Sequence, residues 1–433
     1  MKSIPRSCSY SLTGQVVITG LGAVCALGNS IREISLGLMA GKSGMGDIPD
    51  FDAGGFERRA ALVKDLPAIK TEINPLLAKT MGKHLSLLLA STEQAMADSG
   101  IGPGRFDPED MGFFAGMGMV DYRLEDLLPA VVSSLGQGGD LDYDRFFSAG
   151  YREIYPLWPL GMLNNVVFCQ AAIHFGLRGE NAVYTPHGDA GVRAVADAVR
   201  VLGEGKARVA MAGGVSEEIS LLSLARARLK GFIGQPEGVA NDSTAPGTTT
   251  GIFLGECGAM LVLETLEAAI ARRAEVLAKV SGFGFSCHRD ARSNFASVRA
   301  ISSAMEAALS EAGIGPEQVD AIMLGSSSGN EVEAVRHTFG CGAGAPIMIS
   351  TAKALGEMFA AGPILNTAIG LQIADWAQLP AIICPCSGRG ESGLAGPGLK
   401  FARLLVNGIS YEGMSSSMIV EKIAGELHEA SSL

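Results

Sequence analysis

The sequence predicts an α/β protein made of two similar halves, because strands and helices alternate along it and because one pattern occurs twice. The stretch EQAMADSGIGPGRFDPEDMGFFAGMG near residue 100 is echoed by SSAMEAALSEAGIGPEQVDAIMLGSSSG near residue 313. Each copy contains an Ala-rich helix that ends at Gly, then a turn with Pro, then an apolar strand. Alternating strands and helices predict parallel sheets covered by helices, and the duplication predicts two such units packed together.

The other elements follow the same plan. The first strand is predicted in GQVVITGLGAV, where a buried apolar run begins at Val16 and breaks at Gly20. A second repeat pairs the turn at Gly188, its helix and the strand RVAMAGG with the later STAKALGEMFAAG, its helix and a strand in AIICPC. A stretch rich in Gly, Pro and aromatic residues, about 136–165, predicts a cap over the first half.

The segment from Gly179 to Gly214 contains the turn most suited to chemistry. Asn181 to Thr185 reads as a short strand, and apolar residues from Val192 to Leu202 recur at helical spacing, so PHGDAG forms the turn between strand and helix. The N–H groups at such a helix N-terminus favour an anion and lower the pKa of a thiol. A nucleophile would therefore sit in this turn.

Composition excludes several classes of partner. The 433 residues are 47% hydrophobic, which is enough for a large core, and 45 acidic against 34 basic residues give a net charge of -11. That charge argues against nucleic acid and anionic membranes as partners. No segment reaches the ~18 uninterrupted apolar residues of a membrane span, and an exported or anchored protein is not expected.

Cysteine and histidine usage points to a reducing cytoplasm without metal chemistry. The eight cysteines show no regular spacing, and Cys384 and Cys386 on a predicted buried strand are interpreted as packing residues. Four histidines form no spaced cluster, so no metal site is predicted. These are His84, His288, His337 and His428.

Several motifs resemble those of the β-ketoacyl-acyl-carrier-protein synthases. They are the AGKSG turn, the FDAGGF loop, the order of features around Gly188, the strand in GECGAMLVLETLEAA and the closing LVNGISYEGMSSSMIVEK. The resemblance implies a thiolase-like five-layer α/β/α/β/α fold without a cofactor. It divides the chain into an N-terminal extension (1–13), a first half (14–268) that carries the cap, a second half (269–424) and a tail (425–433).

The three positions that carry the family's chemistry are changed. The resemblance puts the nucleophilic Cys at Gly188, the first His at Gly325 in IMLGSSSGNEVEA, and the second His at Glu357 in KALGEMFAAG. In the family, the thiolate holds the acyl chain and the two His stabilise the enolate from malonyl decarboxylation. The loop NDSTAPGTTTGI also departs from the family pattern. Loss of all three groups predicts a non-catalytic subunit.

Neighbouring polar residues have structural interpretations. His187 is a poor replacement for the nucleophile, because a cationic His is disfavoured at a helix N-terminus and no second group is expected to orient it. Asp189 reads as a helix-start residue that complements the dipole. Cys169, on an apolar helical stretch, is expected to be a buried structural thiol, and His174 a core histidine.

The pattern resembles the chain-length factor, or β subunit, of type II polyketide synthases. Such a subunit pairs with an active ketosynthase, works on chains carried by an acyl carrier protein, and shapes the acyl tunnel. The resemblance suggests tunnel residues in the stretch after Phe113, although core packing remains an alternative for Met117, and it suggests entrance-loop residues near the C-terminus. The tunnel candidates are Met117, Gly118, Met119, Val120 and Tyr122, and the entrance-loop candidates are Ile409 and Tyr411.

Two other classes remain open. One is a synthase or acyltransferase of this fold with a different nucleophile, which an acyl adduct would reveal. The other is a homodimeric acyl-binding protein that has no partner synthase.

Overall fold

A computed structural model describes most of the chain. The described residues are 14–48, 59–66, 82–102, 104–231, 252–291, 295–326, 328–342, 344–374, 376, 378–383 and 401–423. The FDAGGF loop, all but the last residue of NDSTAPGTTTGI, and the predicted terminal extensions lie outside them. Cys384, Cys386 and His428 also lie outside the described residues.

The secondary structure alternates as the sequence predicts. The strands are β1 (Val16–Cys25), β2 (Met45–Asp47), β3 (Arg59–Ala61), β4 (Met111–Met117), β5 (Asn181–Tyr184), β6 (Val209–Val215), β7 (Cys257–Thr265), β8 (Ala278–Cys287), β9 (Ala321–Met323), β10 (Ile347–Ile349), β11 (Arg403–Ile409) and β12 (Met414–Lys422). The helices are α1 (Ile31–Met39), α2 (Gly82–Asp98), α3 (Leu124–Ser133), α4 (Tyr143–Ser148), α5 (Asn164–Phe175), α6 (Asp189–Gly203), α7 (Leu221–Leu229), α8 (Leu266–Ala271), α9 (Val298–Ala312), α10 (Gly329–Phe339), α11 (Ala352–Leu355) and α12 (Gly362–Ile373).

The strand order shows the duplication directly. Apart from the small β2–β3 pair, the strands run β10-β9-β11-β12-β8-β1-β7-β6-β4-β5. The order β5-β4-β6-β7-β1 in the first half matches β10-β9-β11-β12-β8 in the second. Each pair of neighbours also has the same direction in both halves, parallel at the outer strands and antiparallel at the inner ones. The internal repeat read from the sequence is therefore a structural repeat.

One expectation about the sheets is wrong. They are mixed rather than parallel, because β7 and β12 enter between neighbours that run the other way. The two half-sheets are also joined, since Val16–Ile18 of β1 pairs with Ala278–Val280 of β8. Alternation of strands and helices predicts the parallel outer part, whereas the long strands β7 and β8 follow one another with only the short α8 between them.

Five layers account for where the core lies. Helices α6 and α12 contact strands of both halves and form the middle layer. Eleven of the twelve residues of α12 are buried, as expected of a helix that is apolar on all sides. Helices α2 and α5 cover the first half-sheet, and α9 and α10 cover the second. The predicted thiolase-like fold is confirmed.

The predicted strand in AIICPC is not formed over its described part. Ala381–Ile383 is a 3-10 turn, in which the N–H of Ile383 donates to the carbonyl of Pro380. The structural equivalent of β6 is β11, which pairs with β9 and β12. Proline on either side of the apolar triplet removes N–H groups that a central strand needs.

Candidate active site

The turn that leads into α6 has the predicted strand–turn–helix geometry. Strand β5 ends at Tyr184, a cis peptide bond joins Thr185 to Pro186, and Gly188 is the N-cap of α6. Helix α6 buries one face, from Ala190 to Leu202, in the core between the sheets. Asp189 is buried in the first turn and its carboxylate pairs with Arg193 at 2.6 Å. The expected helix-start position of Asp189 is confirmed.

Space at Gly188 is closed by the end of β11. A Cβ atom built on Gly188 would overlap the carbonyl oxygen of Ile409 and would lie 3.1 Å from the carbonyl carbon and the nitrogen of the same residue. Such contacts with rigid backbone cannot be relieved by rotating a side chain. The position therefore excludes any side chain in this conformation, in addition to lacking a nucleophile.

Gly325 is closed by the same strand. A Cβ atom on Gly325 would overlap the carbonyl oxygen of Asn407 and would lie 2.8 Å from its carbonyl carbon. The loop is fixed instead by Glu331, whose buried carboxylate accepts from the N–H groups of Gly325 and Ser326, both at 2.8 Å, and from Asn407 Nδ2 at 2.9 Å. Burial raises the pKa of Glu331, and these donors oppose that rise.

Glu357 is held by its backbone beside the start of β7. Its N–H donates to the carbonyl of Phe253 at 2.7 Å, and its carbonyl accepts from the N–H of Gly255 at 2.9 Å. The side chain of Glu357 is buried. Burial is the main cause of the raised pKa of Tyr411, and the charge of Glu357 raises that pKa further. All three altered positions thus converge on the turn between β11 and β12.

Aromatic side chains fill the space between these positions. The ring of Tyr411 packs edge-on against Phe295 at 5.0 Å, Phe359 at 5.1 Å and His187 at 6.0 Å. Phe359 has a φ of 43°, an uncommon backbone conformation for a bulky residue. The cavity that the described residues leave beside Tyr411 has a volume of about 10 Å³, room for about one water molecule.

Ion pairs surround this cavity. Arg226 makes a two-pronged contact with Asp121, at 2.7 and 3.0 Å, and also binds Glu217 at 2.8 Å. Burial raises the pKa of Glu217, and Arg226 opposes the rise. At the outer edge, Lys230 pairs with Glu412 at 3.1 Å and lowers the pKa of that carboxyl group. The pocket is polar at one end and aromatic at the other.

The tunnel candidates fall into two groups. Met117 is fully buried in the core of the first half, and Gly118 is buried against Glu217, whose nitrogen would lie 2.5 Å from a Cβ atom there. Met119 and Tyr122 are exposed by 38% and 36%, and Val120 is half-buried. Tyr122 packs edge-on against Trp158, 5.9 Å between ring centres, inside the predicted cap.

The entrance-loop candidates are not open to solvent. Ile409 and Tyr411 are 5% and 6% exposed. Ile409 supplies the carbonyl that closes Gly188, and Tyr411 is the centre of the aromatic group.

Three interpretations of neighbouring residues are wrong. His187 does have a second group beside it, because its Nε2 lies 3.3 Å from Glu412 Oε1 in a contact not aligned as a hydrogen bond. Cys169 is exposed, since α5 turns Val167, Phe168 and Ala171 inward and Cys169 outward. His174 is half-buried on the same helix and packs against Phe175. The apolar composition of α5 does not show that only one side of the helix packs against the core.

Sequence reasoning missed three residues that shape the pocket. Glu217 lies two residues after the end of β6, where polar residues commonly face a ligand crevice in α/β sheets, and this position is a usable signal. Arg226 lies on α7 and reaches Glu217 only in the folded chain. Nothing in the sequence MFAAG shows that Phe359 adopts a left-handed conformation.

Comparison with known proteins accounts for this architecture. Residues 13–269 match the beta-ketoacyl synthase N-terminal domain, and residues 277–383 match the C-terminal domain. The chain belongs to the beta-ketoacyl synthase family. It is 29% identical over 381 residues to 3-oxoacyl-[acyl-carrier-protein] synthase 2 of Coxiella burnetii, a match covering 85% of this chain and 88% of that protein.

A subunit of a polyketide synthase is similar to this member of the beta-ketoacyl synthase family at nearly the same sequence identity. The tetracenomycin polyketide synthase ketoacyl synthase beta subunit of Streptomyces glaucescens is 28% identical over 396 residues, covering 86% of this chain and 88% of that protein. The solved structure of the ishigamide ketosynthase/chain length factor has a TM-score of 0.75 at 21% identity, covering 95% of this chain and all of that one. This structural likeness shows the shared fold.

In this member of the beta-ketoacyl synthase family, a glycine stands in the turn where the sequence predicts the nucleophile. Gly188 has no side chain to act as a nucleophile, and the neighbours of His187 include the carboxylate of Glu412 and the ring of Tyr411. Among the residues that the structure describes, no three His, Cys, Asp or Glu side chains are grouped to hold a metal ion. No helix in this part of the chain is both long and apolar enough to cross a membrane.

Proposed function

We propose that this protein is a non-catalytic chain-length factor that pairs with an active ketosynthase during elongation of a chain carried by an acyl carrier protein. The observation that carries the proposal is the closure of position 188. Its Cβ space overlaps the Ile409 carbonyl, so the nucleophile position is filled by backbone. The cavity that the described residues leave beside Tyr411 holds about one water molecule, which supports a subunit that carries no acyl chain of its own.

Exposed apolar surface supports the pairing. Twelve of the eighteen exposed large apolar side chains in the described residues lie within 119–173. We call the outward side chains of α3, α4 and the following turn the cap face; they are Leu124, Leu128, Val132, Tyr143, Phe147 and Tyr151. Leu124, Leu128 and Val132 are spaced by four, so they form one stripe along α3. Contiguous exposed apolar surface of this kind marks protein–protein contacts.

Two further features define the partner. Strand β5 stands at the end of the described sheet with β4 as its neighbour, so its other edge can pair with a second subunit. Residues 119–163 carry seven acidic and three basic side chains, which favours a partner whose facing surface is apolar with a basic rim. An acidic carrier protein would dock elsewhere, on the active subunit.

Coexpression with a ketosynthase that retains its Cys and both His tests this proposal. We expect a 1:1 complex in gel filtration that elongates chains, while the isolated protein gains no acyl mass from an acylated carrier protein. Exposed Cys169, Cys287 and Cys341 should be replaced by Ser first, so that adventitious acylation of these thiols cannot mimic an adduct. A stoichiometric adduct elsewhere would favour an enzyme with a different nucleophile, and stable homodimers beside a separate synthase would favour an acyl-binding homodimer.

A further inference from the structure

Two buried cysteines lie opposite each other on adjacent strands of the first half. Cys25 is the last residue of β1, Cys257 is the first of β7, and the two are direct antiparallel partners. Directly opposite residues in a sheet project to the same face, and both side chains belong to the same core cluster. Both thiols are free, and they are 3% and 0% exposed.

The backbone shows which kind of pair this is. Both peptide groups of Cys25 bond to Gly28, its N–H at 3.0 Å and its carbonyl at 3.1 Å. Both peptide groups of Cys257 bond to Ser216, the N–H to Oγ and the carbonyl to the Ser216 N–H, each at 2.8 Å. Neither cysteine therefore bonds across the pair. Such non-hydrogen-bonded pairs bring Cα atoms to about 4.5 Å, within the range that a disulfide spans.

We propose that Cys25 and Cys257 form a dithiol site that peroxide oxidises to a cross-strand disulfide. One sulfur attacks hydrogen peroxide, the O–O bond breaks, and a sulfenic acid and one water form. The second sulfur then attacks the sulfenic sulfur, the S–O bond breaks, and a second water leaves. Two thiols are oxidised by two electrons in all, and one peroxide is reduced to two waters.

Burial makes the pair slow to react. Burial raises the pKa of Cys25 to about 12, and burial followed by the nearby Cys25 raises the pKa of Cys257. The first thiolate therefore forms during transient opening of the strand ends. The disulfide would fix the start of β7. Just before β7, the N–H of Gly255 donates to the carbonyl of Glu357, and the carboxylate of Glu256 accepts from the N–H of Val63. The site is independent of whether a partner binds.

Peptide mapping of the full chain tests the proposal. Exposed thiols are first alkylated with N-ethylmaleimide, and the protein is then treated with hydrogen peroxide, with and without mild urea to allow opening. We expect loss of the mass of two hydrogen atoms, one linked peptide containing Cys25 and Cys257, and reversal by dithiothreitol. The oxidised chain should also have a higher Tm, because the crosslink restricts the unfolded chain.

Cys25→Ser and Cys257→Ser serve as matched controls. Each should keep the fold and give no linked peptide, while the remaining thiol proceeds to sulfinic acid. Recovery of both cysteines as free thiols, or as separately oxidised residues, after peroxide in urea would overturn the proposal. If one control fails to fold, the linked peptide of the unsubstituted protein still decides the question.

Discussion

At the scale of single residues, Gly188 combines two properties that bear on whether the site could be restored by a substitution. It lacks a nucleophile, and the Ile409 carbonyl occupies the space of any Cβ atom. A position that had lost only its chemistry would accept a Cys without cost, whereas a position closed by backbone would not. The structure favours the second case and gives the first prediction.

Gly188→Cys should destabilise the protein and restore no condensation. Forcing a side chain into packed surroundings typically costs about 1–3 kcal/mol, and Gly325 and Glu357 supply no oxyanion donors in place of the two His. The measurements are urea unfolding and ketoacyl formation with malonyl carrier protein. Gly329→Ala is the matched control, because Gly329 also starts a helix and nothing lies within 4 Å of its Cβ position. Wild-type stability together with condensation would show that the site assignment is wrong.

Glu412 gives a pH prediction. Lys230 first, and His187 after it, lower its pKa from the ordinary 4.5, against desolvation. A lowered pKa in the folded state adds stability above the unfolded value, and this stability is lost as the pH falls through the folded value. The Tm difference between wild type and Glu412→Gln should therefore be positive at pH 7 and shrink progressively as the pH falls below the ordinary 4.5.

Exposed Glu333, on α10, provides the control for this pH series. Glu333→Gln should change the Tm little, because substitutions of exposed residues usually alter stability by no more than about 0.5 kcal/mol. If the Glu412→Gln difference persisted at low pH, packing of the turn rather than its charge would stabilise the closed pocket.

At the scale of elements, local patterns predicted what local physics decides. The helix that ends at Asp98 and the strand that ends at Met117 were readable because Ala-rich periodicity, a terminal Gly and a Pro turn all act within a few residues. The equivalent elements α9 and β9 show the same sequence pattern. The direction of β7 and β12 was not readable, because it depends on strands far away in the chain.

The candidate site divides in the same way. Gly188 and Gly325 were identifiable by position, but the contacts that close them come from β11, more than eighty residues after Gly325. The pairing of His187 with Glu412 likewise joins distant turns. Cys169 was misassigned because composition shows that α5 is apolar without showing which side faces the core.

The cap face gives a prediction at this scale. Leu128→Lys on α3 should weaken binding to the partner ketosynthase about tenfold or more, because it places a charge within an apolar interface. Leu128 is 57% exposed, so the isolated protein should keep its Tm. Leu36→Lys is the control, as Leu36 on α1 is 54% exposed outside the cap. Equal binding by both variants would remove the cap face from the interface.

At the scale of the whole molecule, duplication explains how a closed site can coexist with an intact fold. The middle helices α6 and α12 and both half-sheets are present, and the core does not depend on the residues that the family uses for chemistry. Selection on such a chain can then act on its surfaces. The residues that follow β4 are where surface and pocket come together, since Asp121 binds Arg226 while Met119 and Tyr122 face outward.

If the proposed function is correct, the outward side chains of Met119 and Tyr122 set the product length in the reconstituted pair. Met119→Ala or Tyr122→Ala should lengthen the product by one or more extender units, because each removes bulk where the partner's tunnel would end, and Met119→Trp should shorten it. Gly118→Phe is unsuitable, because Glu217 fills the space beside Gly118. Met117→Ala is the matched control: Met117 is wholly buried, so its truncation should lower stability and yield by leaving a cavity, without moving the length distribution. Product mass spectra separate these outcomes, and unchanged lengths for both outward substitutions, with only yield reduced, would mean that this stretch packs the interface and does not measure the chain.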